Sequence, residues 1–217
     1  MELYEAASSL QQFAGADLTK TLAAVEASLV GVTKNTCANV MVGCGAENDV
    51  LAAAGLVKQI AGQINVIIHA LGILLCLPHI LEADERVEYV SLGAGNTGKQ
   101  FDLETNQRIA EFKFIRWRGG PEVIRQNALF KDFYFLAESP SAKSRYLYVL
   151  GTEYPMKFFN SNRSLSSVLS RHVSLKEQFL EKFGEQYRTV RDYYGARKDL
   201  VAIEDVSTWL ADLTQRI

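Results

Sequence analysis

Residues 101–115, with the sequence FDLETNQRIAEFKFI, decide the fold because apolar and polar side chains alternate on both sides of a short polar turn. This alternation predicts two strands, at 101–104 and 108–115, joined at 105–107 as an antiparallel hairpin. Helical patterns precede the hairpin, and a helix and an apolar strand are predicted after it. The hairpin is therefore expected within an α/β domain flanked by helices.

The hairpin is predicted to hold two carboxylates and a lysine on one face of the sheet. Successive strand side chains point to opposite faces, which places Glu111 and Lys113 together and Phe112 on the other side. If residues 106–107 form a two-residue loop, Asp102 lies directly opposite Glu111, with Cβ atoms about 5 Å apart. Two carboxylates can hold Mg²⁺, and a nearby lysine can orient an attacking water. An ordinary solvated face with a cross-strand charge pair is the alternative interpretation.

The other elements are predicted from the periodicity of apolar residues. The spacing of apolar residues predicts helices in residues 1–81, and the alternation of apolar and polar residues predicts a strand at 87–92. Later predicted elements are a helix to about residue 138, a strand at 145–152 and helices around 164–172, 174–194 and 202–215. We expect one compact domain overall, with an N-terminal helical region (1–55), a central core (56–172) and C-terminal helices (173–217).

The apolar run at residues 64–81 is about as long as a membrane span. It contains Asn65, His69 and His79 and lacks flanking asymmetry of basic residues, so a helix buried inside a soluble domain is favoured. The three cysteines have no metal-binding spacing, which predicts reduced thiols in a cytoplasmic protein. No membrane partner is expected.

A glycine-rich segment before the hairpin, from Gly93 to Lys99, nearly matches the phosphate-binding loop G-x4-G-K-[ST]. Gln100 replaces the hydroxyl residue that would hold Mg²⁺, and a hairpin is predicted to follow instead of a helix. A glycine-rich turn is therefore favoured. A helix beginning at Gln100 would support a nucleotide-binding protein, whereas a strand there would exclude it.

The pattern D-x8-E-F-K, formed by Asp102, Glu111, Phe112 and Lys113, resembles the motif of the PD-(D/E)XK nuclease superfamily. The resemblance covers roughly residues 56–155. It implies a restriction-endonuclease-like α-β-β-β-α-β core with a mixed central sheet, here with a helical N-terminal region and a helical C-terminal extension. It also implies Mg²⁺ or Mn²⁺ bound by Asp102, Glu111 and the backbone carbonyl of Phe112, with Lys113 positioning or activating the attacking water.

Members of this superfamily often carry a further polar residue on the helix before the sheet. The candidates here are Glu47, Gln63, Asn65 and His69, and the sequence does not choose among them. Phe101 replaces the proline that usually precedes the aspartate, a departure that the superfamily tolerates.

Several basic and polar side chains after the predicted metal site are candidates for nucleic-acid contact. They are Arg116, Trp117, Arg118, Arg125, Gln126 and Lys131. The basic groups could contact phosphates, and Trp117 could offer a stacking surface. Residues 113–171 hold 10 basic and 4 acidic side chains, whereas residues 1–98 hold 4 and 10. The net charge of −2 therefore does not exclude a nucleic-acid partner at one face.

Together these features predict a metal-dependent phosphodiester hydrolase, specifically a DNA endonuclease that could act as a homodimer. The alternative is a catalytically inactive module with the nuclease fold that binds nucleic acid or a protein partner. Retention of Asp102, Glu111 and Lys113 favours the enzyme. The choice between DNA and RNA, the specificity, the oligomeric state and a role in defence, repair or toxin–antitoxin systems stay open at this point.

Overall fold

The computed structural model describes residues 1–30, 32–34, 36–93, 100–115, 117 and 122–210 of the 217-residue chain. Its helices are α1 (Leu3–Ala14), α2 (Leu18–Leu29), α3 (Cys37–Gly43), α4 (Asn48–Ile80), α5 (Val123–Ala137), α6 (Glu153–Phe159), α7 (Leu165–Val168), α8 (Val173–Phe183) and α9 (Val190–Arg197). Its strands are β1 (Val87–Val90), β2 (Leu103–Thr105), β3 (Arg108–Lys113), β4 (Ser144–Val149) and β5 (Ala202–Asp205).

The strands form one mixed sheet in the order β1-β2-β3-β4-β5 within the described residues. β1, β2 and β3 are antiparallel neighbours, whereas β4 is parallel to β3 and β5 is parallel to β4. The predicted mixed α/β class is confirmed. The prediction of a helix at 202–215 is wrong at its start, because Ala202–Asp205 pairs with β4 and satisfies its backbone groups in the sheet. The predicted C-terminal extension is therefore not purely helical.

The chain divides into two units, Met1–Asn65 and Val66–Ile217. The first unit holds α1, α2, α3 and the first part of α4. The second unit holds the sheet, the remainder of α4 and the described helices from α5 to α9. The residues of the predicted hairpin site all belong to the second unit.

Each face of the sheet is covered by its own apolar core. On one face, the last turns of α4 pack against the strands through Ile73, Cys76, Ile80, Leu103, Ala110, Phe112 and Tyr148. On the other face, α5 and later helices pack through Ile109, Leu129, Phe133, Leu147, Phe159 and Tyr193. Strand β3 therefore sends alternate side chains to opposite cores, as its sequence predicts.

Helix α4 is more exposed than predicted. The buried residues of its apolar run are Gly72, Ile73, Cys76 and Ile80, of which the last three are spaced three and four residues apart on one helix face, whereas Leu75 is 57% exposed. The prediction of a buried helix is therefore wrong for most of its surface. By length and composition alone α4 is also long and apolar enough to cross a membrane, and 17% of its most apolar segment is buried. The expected absence of a membrane partner stays a prediction.

The approach of α4 to the end of β3 depends on Gly72. A Cβ atom at this position would lie 2.6 to 2.7 Å from ring carbons of Phe114. Carbon atoms pack at about 3.5–4.0 Å, so a side chain at Gly72 would push the helix and the ring apart. His69, about one turn earlier, contacts the Phe114 ring edge-on with 6.0 Å between centroids. Gly72 therefore allows His69 to lie beside the end of β3.

Candidate active site

The β2–β3 hairpin has the register that a two-residue loop predicts. Its ladder pairs are Leu103 with Ala110 and Glu104 with Ile109. One further step along this register places Asp102 opposite Glu111. The Asp102 carboxylate accepts a hydrogen bond from the backbone N–H of Phe112, with 3.0 Å between Oδ2 and N. The register predicted for a two-residue loop is thus confirmed at these two pairs.

The backbone of Phe112 also presents its carbonyl on the side where Asp102 lies. In a strand, the N–H and C=O groups of one residue point to the same edge. Because the N–H of Phe112 bonds to Asp102, the carbonyl oxygen of Phe112 points to that edge too. The three oxygen donors predicted for a metal therefore come from adjoining positions at one end of the hairpin.

Glu111 and Lys113 project from β3 toward α5, where Asp132 joins them. Lys113 Nζ lies 2.9 Å from Asp132 Oδ2 and 3.5 Å from Glu111 Oε2. Glu111 is 8% exposed and Asp132 is 9% exposed. We call Asp102, Glu111, Lys113 and Asp132 the acidic cluster.

Sequence reasoning missed Asp132. A signal for it was present, because Asp132 stands three residues after Leu129 and four before Leu136, both of which are buried. An acidic side chain on the buried face of a helix is unusual unless it has a partner. That partner is Lys113.

His69 of α4 lies on the other side of Asp102. Its Nε2 atom is 3.4 Å from Asp102 Oδ1. Of the four candidates in or next to α4, His69 therefore contacts the hairpin site. Glu47, Gln63 and Asn65 belong to the first unit of the chain.

The pKa values of the acidic cluster reflect its burial and its excess of carboxylates. Burial, with the charges of Asp132 and Asp102, raises the pKa of Glu111 to about 9, and Lys113 opposes this shift. Burial lowers the pKa of Lys113, but the three carboxylates outweigh it and hold that pKa above its usual value. Burial raises the pKa of Asp102, but hydrogen bonds from His69 and the backbone and the charge of Lys113 leave it below its usual value. A divalent cation would offset the excess negative charge.

The predicted donor set is the kind that a hard divalent cation prefers. Two carboxylates and one carbonyl would supply oxygen ligands, and Mg²⁺ characteristically takes one or two carboxylates while keeping several waters. Among the residues that the structure describes, no group of three or more His, Cys, Asp and Glu side chains is arranged to hold a metal ion. The predicted set requires only the carboxylates of Asp102 and Glu111. It therefore suits Mg²⁺ or Mn²⁺ better than a closed zinc site.

Of the predicted nucleic-acid contacts, Trp117 and Gln126 come together in the lining of one pocket. Arg116 and Arg118 lie outside the residues that the structure describes. The Arg125 guanidinium forms an ion pair with Glu122, and Lys131 Nζ lies 6.0 Å from the centroid of a phenylalanine ring on the same helix. Contacts of these side chains with nucleic acid stay predictions.

Trp117 does not offer the open ring face that was predicted for stacking. Its residue surface is 9% exposed, and its ring packs against Tyr154 and Phe158 with 6.2 Å between centroids in each case. The prediction is wrong because the aromatic side chains of α6 cover the indole. Among the described residues, Trp117 Nε1 and Gln126 Oε1 are buried atoms without a hydrogen-bond partner.

The glycine-rich segment gives no support to the nucleotide-binding alternative. Residues 94–99 lie outside the described residues, but the chain that follows is described. Residues 100–102 are not helical, and β2 begins at Leu103. The helix N-terminus that a phosphate-binding loop requires is therefore missing after Gln100.

Comparisons with protein-family models, curated proteins and solved structures find no match to this chain. The fold and the site define a mixed α/β protein with a largely buried acidic cluster and one lysine at the end of a β-hairpin. The assignment of a function therefore depends on the chemistry of that site.

Proposed function

We propose that the protein is a metal-dependent phosphodiester hydrolase of the PD-(D/E)XK type, acting as a DNA endonuclease. The observation that carries this proposal is the convergence of Asp102, Glu111 and Lys113 at one end of the β2–β3 hairpin. The element order α4-β1-β2-β3-α5-β4 also supports it, because the resemblance implies an α-β-β-β-α-β core.

In this proposal, Asp102, Glu111 and the carbonyl of Phe112 hold Mg²⁺ or Mn²⁺. A metal ion bound there supplies a water of lowered pKa and offsets negative charge on the phosphoryl oxygens. Lys113 is held in its charged form by the surrounding carboxylates. It therefore acts as a hydrogen-bond donor that orients the attacking water and stabilises developing negative charge, and not as the base.

Asp132 and His69 act as positioning residues. The 2.9 Å contact of Asp132 with Lys113 Nζ restricts the lysine to the end of β3. His69 contacts the oxygen of Asp102 that does not accept the Phe112 N–H bond, so both oxygens of that carboxylate have a neighbour. Such groups around a metal ligand fix its orientation and raise metal affinity.

The proposed partner is DNA, bound at the face that carries the basic segment 113–171. This segment begins at Lys113 of the acidic cluster and holds 10 basic and 4 acidic side chains. Cationic groups next to a metal site attract the phosphate backbone and place it for cleavage. A cytoplasmic location and pairing into a homodimer that cuts both strands belong to the same proposal.

The test compares Mg²⁺- and Mn²⁺-dependent cleavage of DNA and RNA by the wild type, Asp102→Ala and Lys113→Ala. We expect each variant to lose at least about 10²–10³-fold in the rate of DNA cleavage, since Asp102→Ala lacks a metal ligand and Lys113→Ala lacks the cation that stabilises developing negative charge. The matched control is Glu104→Gln in β2, two residues after Asp102, whose carboxylate pairs with Lys143 instead. Equal cleavage by all three proteins would contradict the assignment.

The inactive binding module is the second candidate. It is favoured by the absence of a three-residue metal group among the described residues and by the pairing of Lys113 with Asp132. Calorimetric titration with Mg²⁺ and Mn²⁺ separates the two candidates. Binding that Asp102→Ala abolishes supports the enzyme, whereas no binding up to millimolar metal supports the module.

A further inference from the structure

Helix α4 carries apolar side chains on two opposite faces. One face packs against the sheet through Ile73, Cys76 and Ile80. Each residue turns an α-helix by about 100°, so a second row of apolar side chains lies on the side of α4 that points away from the sheet. Its six members are all exposed: Ile60, Ile64, Ile67, Leu71, Leu74 and Leu75. We call this row the α4 stripe.

The α4 stripe has the spacing of a coiled-coil seam. From Ile60 to Leu74, its members recur at intervals of four, three, four and three residues. This repeat of about 3.5 residues keeps apolar side chains on the side of a helix that faces a partner helix. Isoleucine and leucine are also the residue types that are typical of such seams. The stripe therefore has the pattern of a helix that packs against another helix.

The exposed area of the α4 stripe is sufficient for a dimer. The exposed fractions of its members range from 37% to 57%, which amounts to about 500 Å² on each copy of the chain. Two copies would bury about 1,000 Å² of apolar side chain, which is the lower limit for a specific interface. An exposed apolar patch of several hundred Å² marks a contact surface in a soluble protein.

The charges of α4 favour a second copy of the chain over a lipid surface. Apart from its histidines, α4 has two charged side chains, Asp49 and Lys58, and both precede the stripe. An uncharged seam meets no electrostatic repulsion from an identical seam. Helices that lie on membranes are instead rich in lysine and arginine on their polar face. Lipid also cannot surround α4, because Ile73 and Cys76 pack against the strands.

We propose that two copies of this chain pack against each other through their α4 stripes. The same surface is buried on both copies, as in a dimer with two-fold symmetry. The inference rests on the proposed function, which includes a homodimer that cuts both strands, and it assigns the surface that joins the two copies. His69 lies on the opposite face of α4 from Leu71, so the dimer leaves its contact with Asp102 intact.

Analytical ultracentrifugation between about 1 and 100 μM protein tests the dimer, and the wild type should have twice the mass of one chain. Ile67→Lys places a charge at the middle of the stripe and should weaken dimer formation at least about 100-fold. The matched control is Leu180→Lys on α8, because Leu180 is 47% exposed and Ile67 is 44% exposed. A monomeric wild type, or equal dimer formation by the two variants, would overturn the proposal.

A mixture of two variants tests whether the two stripes meet. Ile67 is the middle member of the seam, so it lies beside Ile67 of the second copy whether the two helices run parallel or antiparallel. Ile67→Lys and Ile67→Glu should each be monomeric alone, and their mixture should form a heterodimer because the opposed charges attract. Far-ultraviolet circular dichroism verifies the fold of each variant. A mixture that stays monomeric would overturn the pairing of the stripes.

Flotation with vesicles of phosphatidylcholine and phosphatidylglycerol tests the lipid surface. We expect the wild type to stay in the unbound fraction, since its stripes cover each other in the dimer. Flotation of the wild type with the vesicles, lost in Ile67→Lys and kept in Leu180→Lys, would overturn the proposal and assign the stripe to a membrane.

Cleavage of a supercoiled plasmid separates failure of this inference from failure of the proposed function. The wild type should produce linear plasmid, whereas Ile67→Lys should accumulate nicked circles because one active site cuts one strand. Cleavage that Asp102→Ala abolishes, by a wild type that is monomeric, would retain the nuclease and remove the dimer. A dimer that Ile67→Lys disrupts, without metal-dependent cleavage by the wild type, would retain the dimer and remove the nuclease.

Discussion

Strand β3 carries a group of buried charges at each end, and the two groups differ in construction. At the start of β3, Arg108 forms a two-pronged ion pair with Glu85, whose side chain is fully buried. Thr105 donates a hydrogen bond to the same carboxylate, and the hydroxyl of Tyr148 accepts one from the guanidinium. One positive and one negative group therefore balance, and both are enclosed by donors and acceptors.

At the other end of β3, three carboxylates surround the single ammonium of Lys113, whose side chain is 34% exposed. The charges do not balance, and the site has access to solvent through the lysine. A balanced and enclosed pair fits a structural role, whereas unbalanced charge with perturbed pKa values is typical of a site that binds a cation or a substrate. Because the two groups lie at opposite ends of the same strand, variants of one group serve as controls for the other.

The largest expected effect is on stability, from breaking the pair of Glu85 and Arg108. Glu85→Leu leaves a buried guanidinium without its carboxylate and should lower the free energy of unfolding by about 3–5 kcal/mol. The double variant Glu85→Leu/Arg108→Met removes both charges, and its free energy of unfolding should be much closer to that of the wild type. Urea unfolding measures both. A loss smaller for the single variant than for the double variant would refute the structural role of the pair.

The second effect is a loss of metal affinity at the acidic cluster, without a change in the stability of the fold. His69→Ala removes the imidazole that contacts Asp102, and we expect Mg²⁺ affinity to fall about 10–100-fold, as for other residues that orient a metal ligand. The matched control is His79→Ala on the same helix, whose ring stacks on Trp209 instead. Calorimetric titration with Mg²⁺ gives the comparison. Equal Mg²⁺ affinities for the two variants would argue against a role for His69.

The third effect is a gain in stability, whereas the first is a loss. The pKa of about 9 means that Glu111 takes up a proton on folding at neutral pH, which costs stability. Glu111→Gln removes this cost, so it should raise the free energy of unfolding by about 1–2 kcal/mol in the absence of divalent metal. The same change should abolish metal binding. Urea unfolding with and without Mg²⁺ provides the readout. A less stable variant in metal-free buffer would mean that Glu111 contributes to folding as Glu85 does.

The smallest effect is the pH dependence of the balanced pair. Burial raises the pKa of Glu85, but hydrogen bonds from Arg108, Thr105 and the backbone outweigh it and leave the pKa below 4.5. A carboxyl group with a lowered folded-state pKa contributes stability above its unfolded pKa, and this contribution is lost as the pH falls through the folded value. Wild-type stability should therefore decrease as the pH falls through the acidic range, and it should decrease more than the stability of Glu85→Gln. Thermal unfolding between about pH 3 and pH 6 tests this.

The sequence predicts the hairpin part of the site because that part is local. Alternation along the strands and a two-residue turn place Asp102 opposite Glu111 and put Lys113 beside it, and these properties involve about a dozen neighbouring residues. Asp132 and His69 reach the same place through the packing of α5 and α4 on the sheet. Their positions depend on tertiary contacts that a periodic pattern does not record.

The errors in the fold have the same origin. Residues 202–205 contain alanine, glutamate and aspartate, which are uncommon in strands, and parallel pairing with β4 overrides this weak preference. For α4, composition shows that the helix is apolar but not how many of its faces other elements cover. Trp117 likewise has the residue type of a stacking platform, and its burial follows from the placement of α6.

Gly72 makes the geometry of the site sensitive to a single methyl group. Glycine within a helix costs about 0.5–1 kcal/mol relative to alanine, so α4 gives up intrinsic helix stability at this position. In return the helix axis passes close enough to Phe114 for His69 to contact Asp102. Helix propensity and alignment of the site therefore oppose each other at residue 72. A search for thermostable variants by helix propensity alone would select, at this residue, against the arrangement that we propose for catalysis.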